Sequence, residues 1–446
     1  MLEERWRATV AAHARETALR EFATGRSWTF AELAIEADAE NLTSDGGLVF
    51  ASGHGSNFIL TVLRAWKAER AVCPLEAGQV APNFPPPPVG IAQLKLTSGT
   101  TGAAKGVAFT AAQLAADADA IVATMGLRPA WPNLGVISLA HSYGFSNLVL
   151  PLLLHGVPLM LVPSPLPAAV SEAARTFGET PLTLAAVPAM WRAWHEADAI
   201  PANVRLAISA GATLPLALEH TVFATRGLRL HNFLGATECG GIAYDAGDSP
   251  RTDASYVGHP LRGVTLRRGE DGCLEVRGPA VGETYWPEAL ERLRGGIYRT
   301  EDLVEFATDG GVRLRGRAGD VIHVAGRKVA PEAIEAVLRQ HPGVRECLVF
   351  GVPSHEQRGE TVAAVIEAAS SVTENSLREF ALARLPAWQV PRSWRFVAAL
   401  ETNARGKRSR AQWREQWNLN GGVGKNLSGG KPASVIPTTR EDWWHG

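Results

Sequence analysis

The sequence predicts an α/β fold: a large N-terminal domain with mostly parallel sheets and a β-rich subdomain, then a small α+β domain. Three observations lead there. Over the first two thirds, short apolar runs alternate with alanine- and leucine-rich stretches of helical period, the pattern of strands joined by crossover helices. From 257 to 306 the texture changes to short strands and glycine turns, as in GCLEVRGPAVGETYW. After Gly316 the alternation begins again and fills about a hundred residues, a usual size for a small domain.

Taken in order, residues 1–19 are charged and read as an amphipathic helix, not a signal peptide. Residues 47–52 (GLVFAS), 136–139 (VISL), 182–187 (LTLAAV) and 204–209 (VRLAIS) read as buried strands, and 111–125 as a helix. Residues 81–90 (APNFPPPPVG) suit neither helix nor central strand, so they form a stiff surface connection. In the last third, helices are expected at 331–340 and 374–385, with strands at 347–352 (CLVFGV) and 361–367. From 418 to 446, glycine, serine and proline predominate, as in a flexible tail.

Hydrophobic residues make up 46% and charged residues 20%, the balance of a soluble globular protein. Lys and Arg number 44 against 45 Asp and Glu, a net charge of -1 that argues against a nucleic-acid partner. Cys73, Cys239, Cys273 and Cys347 are far apart and form no CxxC, so separate reduced thiols are expected rather than zinc or a disulfide framework. The most apolar run, 148–162, is too short to span a bilayer and contains Pro151, His155 and Pro158. A cytoplasmic protein is the expectation, with oligomeric state left open.

The strongest local signal is residues 94–107, LKLTSGTTGAAKGV, where apolar strand residues run into Thr97, Ser98, Gly99, Thr100, Thr101, Gly102 and then Lys105. Glycines let backbone N–H groups turn toward an anion, hydroxyls donate further hydrogen bonds, and Lys105 adds a charge. That chemistry suits a nucleotide polyphosphate. A Walker loop requires glycine before the lysine and Ser or Thr after it, whereas Ala104 and Gly106 stand there. A bland linker is the other reading, but a linker rarely follows an apolar strand directly and precedes a helix.

TSGTTGAAKG resembles the phosphate loop, TSGTTGxPKG, of the adenylate-forming superfamily of acyl-CoA synthetases, peptide-synthetase adenylation domains and luciferases, with Ala104 in the proline position. Further motifs follow in the same order. Residues 232–240, NFLGATECG, resemble the YGxTE segment. There the resemblance implies that Thr237 contacts the AMP phosphate, that Glu238 ligates magnesium, and that Leu234 and Gly235 lie at the nucleotide, Leu234 replacing an aromatic ring. Residues 298–303, YRTEDL, resemble YRTGDL, which makes Asp302 a ribose ligand; Glu301 stands where glycine is usual. Residues 316–329 resemble GRxDDxIKxxGxRI, giving Arg317 the ribose, Gly319 and Asp320 the hinge, and Gly326 the thiol tunnel. Residues 403–410, NARGKRSR, resemble NxxGKxxR, and Lys407 would bridge the substrate carboxylate and the α-phosphate. Residues 209–213 (SAGAT), with Gly211 and Ala212, resemble the segment lining the adenine and carboxylate site.

The resemblance covers nearly the whole chain, 28–410, with one shortening: only residues 79–96 separate the PLxxG-like stretch from the phosphate loop. It implies an N-terminal domain over 1–316, a hinge at 317–320 and a mobile C-terminal domain over 321–417. It implies ATP and Mg2+ as cofactors, a carboxylic acid as substrate, and coenzyme A as acceptor, or alternatively a carrier-protein phosphopantetheine. Residues 139–145, LAHSYGF, correspond to the wall of the acyl pocket. Amino-acid-activating members place Asp there; this chain offers His141, Ser142 and Tyr143, with Ser209 nearby in the motif series, which favours an aryl or medium-chain acyl acid. A non-catalytic descendant of the fold is the remaining alternative.

Overall fold

The computed structural model describes residues 1–42, 47–97, 105–353, 359–400 and 410–419. These divide into two compact units: Met1–Gly269 with Leu274–Thr300 and Phe306–Arg313, and Glu270–Cys273 with Glu301–Glu305 and the chain from Leu314 onward.

The first unit mixes parallel and antiparallel strands around a parallel run in its larger sheet. Leu230–Ala236, Val204–Ser209, Leu182–Ala186, Asn133–Gly135, Leu159–Leu161 and Thr17–Glu21 lie side by side in that order, each neighbouring pair parallel. Leu182–Ala186 is buried along its whole length, as expected where helices cover both faces. A second sheet has the order Thr284–Trp286, Gly106–Thr110, Ile91–Leu96, Val72–Leu75, Val49–Ser52.

The helix over 111–125 is found as expected. Thr110 and Gln113 close a capping box at its start, and Gly126 ends it at φ 72°. Two expectations need correction. The strand anticipated at 136–139 is Asn133–Gly135 instead, because the Ser138 hydroxyl accepts from the Ala140 and His141 N–H groups and turns the chain out of the sheet. The phosphate-loop segment does not lead straight into a helix. It joins two antiparallel strands, Leu96 pairing with Gly106. The proline connection at 81–90 has neither helix nor strand, and the Trp286 indole donates to the Pro85 carbonyl at 3.0 Å. All four cysteines are free and buried.

In the second unit, Val344–Pro353, Glu360–Ala368 and Ser393–Val397 form a three-stranded sheet. Period-2 alternation sorts its side chains: Cys347, Val349, Val362, Ala364 and Ile366 join Ile334 and Leu377 of the helices Pro331–Leu338 and Glu374–Leu382. Leu348, Phe350, Val352, Ala363 and Val365 face the other way, toward Trp417. Trp417 belongs to a helix, Arg410–Leu419, which runs into the segment expected to be a tail; burying its indole against Phe350, ring centroids 5.6 Å apart, is the reason. Among the described residues, no helix is long and apolar enough to cross a membrane.

Candidate active site

The strands Leu230–Ala236 and Gly240–Tyr244 form a hairpin whose tip is Thr237, Glu238 and Cys239. The tip is held on several sides. The Thr237 and Ser142 hydroxyl oxygens are 3.3 Å apart. The Tyr285 hydroxyl donates to Glu238 Oε1 at 2.9 Å, and the Gly282 N–H donates to the Glu238 carbonyl at 2.8 Å. Burial, then the Glu238 charge, pushes the Tyr285 hydroxyl up from its ordinary value, so it stays a donor. Of the residues that sequence reasoning singles out, Thr237, Glu238 and Ser142 are therefore brought together.

The acyl-wall segment begins with a short turn. His141 is half-buried, and its Nδ1 accepts from the Tyr143 N–H at 3.2 Å. Tyr143 is buried, lies tilted at 45° to Phe233 with ring centroids 5.9 Å apart, and donates its hydroxyl to the Ile208 carbonyl. Burial pushes the Tyr143 hydroxyl up as well. Ser209, next along that strand, is fully buried, and its Oγ has no hydrogen-bond partner among the described residues. Gly211 lies just beyond at φ 84°, in the left-handed region. Gly211 and Ala212 are exposed, and so is Gly235, while Leu234 is half-buried.

Of the phosphate loop, Thr97 and Lys105 are described. The Thr97 N–H and hydroxyl both donate to the Lys105 carbonyl, at 2.9 and 3.2 Å. Ser98, Gly99, Thr100, Thr101 and Gly102 lie outside the described residues, as does Lys407.

The second unit holds the other candidates. Arg317 Nε and Asp302 Oδ1 are 3.3 Å apart. Ala318–Asp320 form a single 3-10 turn. A Cβ on Gly319 would meet nothing, whereas Gly316, at φ 109°, faces the Glu332 carboxylate and Ala330 with no room for one. Sterics therefore demand glycine at 316 and not at 319. Gly326 and Ala325 have positive φ in the two-residue turn between Ile322–Val324 and Arg327–Val329, the geometry of a type I′ hairpin.

Sequence reasoning missed Tyr285, Lys95 and Asp117. Asp117 had a legible signal: it sits at helical spacing between Leu114, Ala118 and Ile121, on the buried face of its helix. Tyr285 had none, since its meeting with Glu238 spans 47 residues.

Among the described residues, no group of three or more His, Cys, Asp and Glu is arranged to hold a metal. A lone oriented carboxylate is nevertheless the protein contribution that Mg2+ takes when phosphate oxygens and water complete its octahedron, so Glu238 fits that ion.

Comparison with known proteins bears on the same residues. The family model described as AMP-binding enzyme matches residues 52–286, and that of the AMP-binding enzyme C-terminal domain matches 333–407. Anthranilate–CoA ligase of Pseudomonas aeruginosa is 30% identical over 354 residues, which cover 73% of this chain and 67% of that one. 2-Succinylbenzoate–CoA ligase of Bacillus licheniformis is 30% identical over 331 residues, covering 71% and 68%. The crystal structure of ATP-bound MatB from Rhodopseudomonas palustris superposes with a TM-score of 0.82 at 20% identity, covering 94% of this chain and 99% of that one.

Proposed function

Because this chain belongs to the AMP-binding enzyme family of adenylate-forming acid–CoA ligases, we propose that it activates an aryl or medium-chain carboxylic acid with ATP and passes the acyl group to coenzyme A. In the first half-reaction a carboxylate oxygen attacks the α-phosphorus and pyrophosphate leaves; in the second, the thiolate attacks the acyl carbon and AMP leaves. The observation that carries this reading is the Thr237–Glu238 hairpin tip, where a hydroxyl donor and an oriented carboxylate stand beside the acyl-wall residue Ser142. Thr237 would hold the α-phosphate and Glu238 would hold magnesium, which neutralises phosphate charge when bound. Asp302, paired with Arg317, suits ribose hydroxyls. Lys407 would supply positive charge where the carboxylate meets the phosphate, the place at which preorganised charge matters most.

For the acid, the segment 139–145 offers an imidazole, hydroxyls and rings but no carboxylate to pair with an ammonium. That supports an aryl or acyl acid over an amino acid, and two relatives of this chain are named as ligases of aryl acids. The test is pyrophosphate release with anthranilate, 2-succinylbenzoate, benzoate and octanoate, each with and without coenzyme A. Release with one of them, and thioester only when coenzyme A is added, is expected. Glu238→Gln should require far more magnesium for the same rate. Wild-type magnesium dependence in that variant would remove Glu238 from the role.

A further inference from the structure

Beneath the hairpin tip lies a buried charge pair with no part in the chemistry described so far. Lys95, on the strand Ile91–Leu96, and Asp117, on the helix Ala111–Met125, are 3% and 1% exposed. Their charged atoms are 3.6 Å apart. The Lys95 ammonium also donates to the Ser146 hydroxyl at 3.4 Å and lies 4.5 Å from the centre of the Phe109 ring. Burial pushes the ammonium down from its ordinary value while the Asp117 charge opposes that.

Asp117 is the centre of the arrangement. Its Oδ1 accepts from the Gly241 N–H at 3.1 Å, and its Oδ2 accepts from the Ser146 hydroxyl at 2.5 Å. Gly240 turns at φ 66° directly against this carboxylate, which occupies the space a Cβ would need. Conformation and packing thus both require glycine at 240. One carboxylate consequently touches three segments: the strand that feeds the phosphate loop through Lys95, the helical turn Phe145–Val149 that follows the acyl wall through Ser146, and the strand that leaves the Thr237–Glu238 tip through Gly240 and Gly241. A buried ion pair stabilises a fold little compared with apolar residues of the same shape. What it supplies is a specific geometry, since a buried acceptor left without its donors is penalised.

We propose that Asp117, its charge balanced by Lys95, is a positioning residue that pins the Thr237–Glu238 tip in register with the phosphate-loop strand and the acyl wall. The inference rests on the adenylation reading above. It concerns the step in which phosphate, metal and carboxylate must be aligned at once, where a misplacement of about 1 Å can lower the rate about a hundredfold.

The test compares two double variants, both without the ammonium so that no lone buried charge remains. Lys95→Met/Asp117→Asn keeps an acceptor oxygen for the Gly241 N–H. Lys95→Met/Asp117→Leu removes it. The asparagine variant should form acyl-adenylate within about threefold of wild type, and the leucine variant about a hundredfold more slowly with a raised magnesium requirement. Thioester formation from synthetic acyl-adenylate should differ between them by less than about threefold, because no phosphorus–oxygen bond is then rearranged. Equal adenylation rates in the two variants, or a parallel fall in both half-reactions with the melting temperature, would overturn the proposal.

Amide hydrogen exchange on the ligand-free protein gives a readout independent of catalysis. The Gly241 amide should be protected in wild type and in the asparagine variant, and exchange at least about tenfold faster in the leucine variant. A wild-type Gly241 amide that exchanges freely sinks the tether even if the leucine variant does not fold. If wild type releases no pyrophosphate with any acid tested, the adenylation reading fails instead, and the Gly241 exchange still decides whether the pin exists.

Discussion

Each unit contains an ion cluster, and the two are buried and balanced differently. In the first unit Glu219 and Asp245 face Arg229 and Arg251, with all four side chains nearly inaccessible. Glu219 accepts from Arg229 and from both the Arg251 side chain and its N–H, at 2.9 and 2.8 Å for the latter two. Arg251 goes on to donate to the Leu214 and Tyr256 carbonyls. Two acids meet two bases, and the donors left over find backbone oxygens. In the second unit Arg410 meets Asp320 at 2.8 Å, Glu332 at 2.6 Å and Glu335 at 2.9 Å and donates to the Val349 carbonyl, while Arg339 meets Glu335 at 3.3 Å and Glu346 at 2.6 Å. Negative charge is in excess there. Glu332 shows it: its Oε2 has no partner among the described residues, and burial pushes its carboxyl up from the usual range. The first cluster pairs each acid with a base. In the second, burial makes the charged form of one carboxyl costlier, so its strength depends on pH.

The contrast can be broken most severely at Glu219. Glu219→Gln takes from Arg251 its carboxylate partner and leaves Arg229 with Asp245 alone, and a loss of about 3–5 kcal/mol in urea unfolding is expected. A loss below about 1 kcal/mol, the scale of an exposed pair, would mean that the balance does not matter.

Arg410→Met should follow, at about 2–3 kcal/mol, because it leaves Asp320 and Glu332 without their arginine and Glu335 with Arg339 alone, in a partly exposed cluster. Acyl-adenylate formation should fall with it, since the helix carrying Arg410 follows the Lys407 segment directly. Full adenylation activity at unchanged stability would show that Arg410 is dispensable.

Glu332→Gln sharpens the comparison through pH. A carboxyl whose folded value is raised contributes stability below its ordinary value of about 4.3, and that contribution is lost as pH rises through the raised value. The glutamine variant should lack this decline and equal or exceed wild type by up to about 1 kcal/mol at neutral pH. Urea midpoints measured from mildly acidic to neutral pH check it; parallel curves for the two proteins would contradict it.

The smallest effect belongs to an exposed pair used as a control. Arg7, first, and Lys67 hold the Asp38 carboxyl at about 2. Its stability contribution is present above the ordinary carboxylate value and is lost as pH falls toward about 2. Because both side chains are more than a third exposed, Asp38→Asn should change stability by under about 1 kcal/mol at neutral pH and by nothing measurable at high salt.

Much of the molecule was legible in advance wherever information is local. The helix Ala111–Met125 was readable because its cap, its apolar face and its terminal glycine all lie within the segment itself. The strand pair Val344–Pro353 and Glu360–Ala368 was readable from its apolar runs, though its two covered faces were not. The helix Arg410–Leu419 was missed because its polar face dominates the sequence, and its docking shows only in long-range contacts such as Trp417 against Phe350 and Arg410 with Glu335.

By itself the sequence determined the order of α/β elements, the two-domain division in outline and the ordered motifs that placed the chain in its family. These depend on residue type, short-range period and spacing, which the chain carries regardless of its folding. Only the tertiary structure decided that Tyr285 orients Glu238, that Ser142 meets Thr237, and that Asp117 stands where a Cβ on Gly240 would be. Those contacts join residues 47, 95 and more than a hundred positions apart. No local rule encodes such a distance, because the energy that selects it comes from burying polar groups with their partners in a shared core.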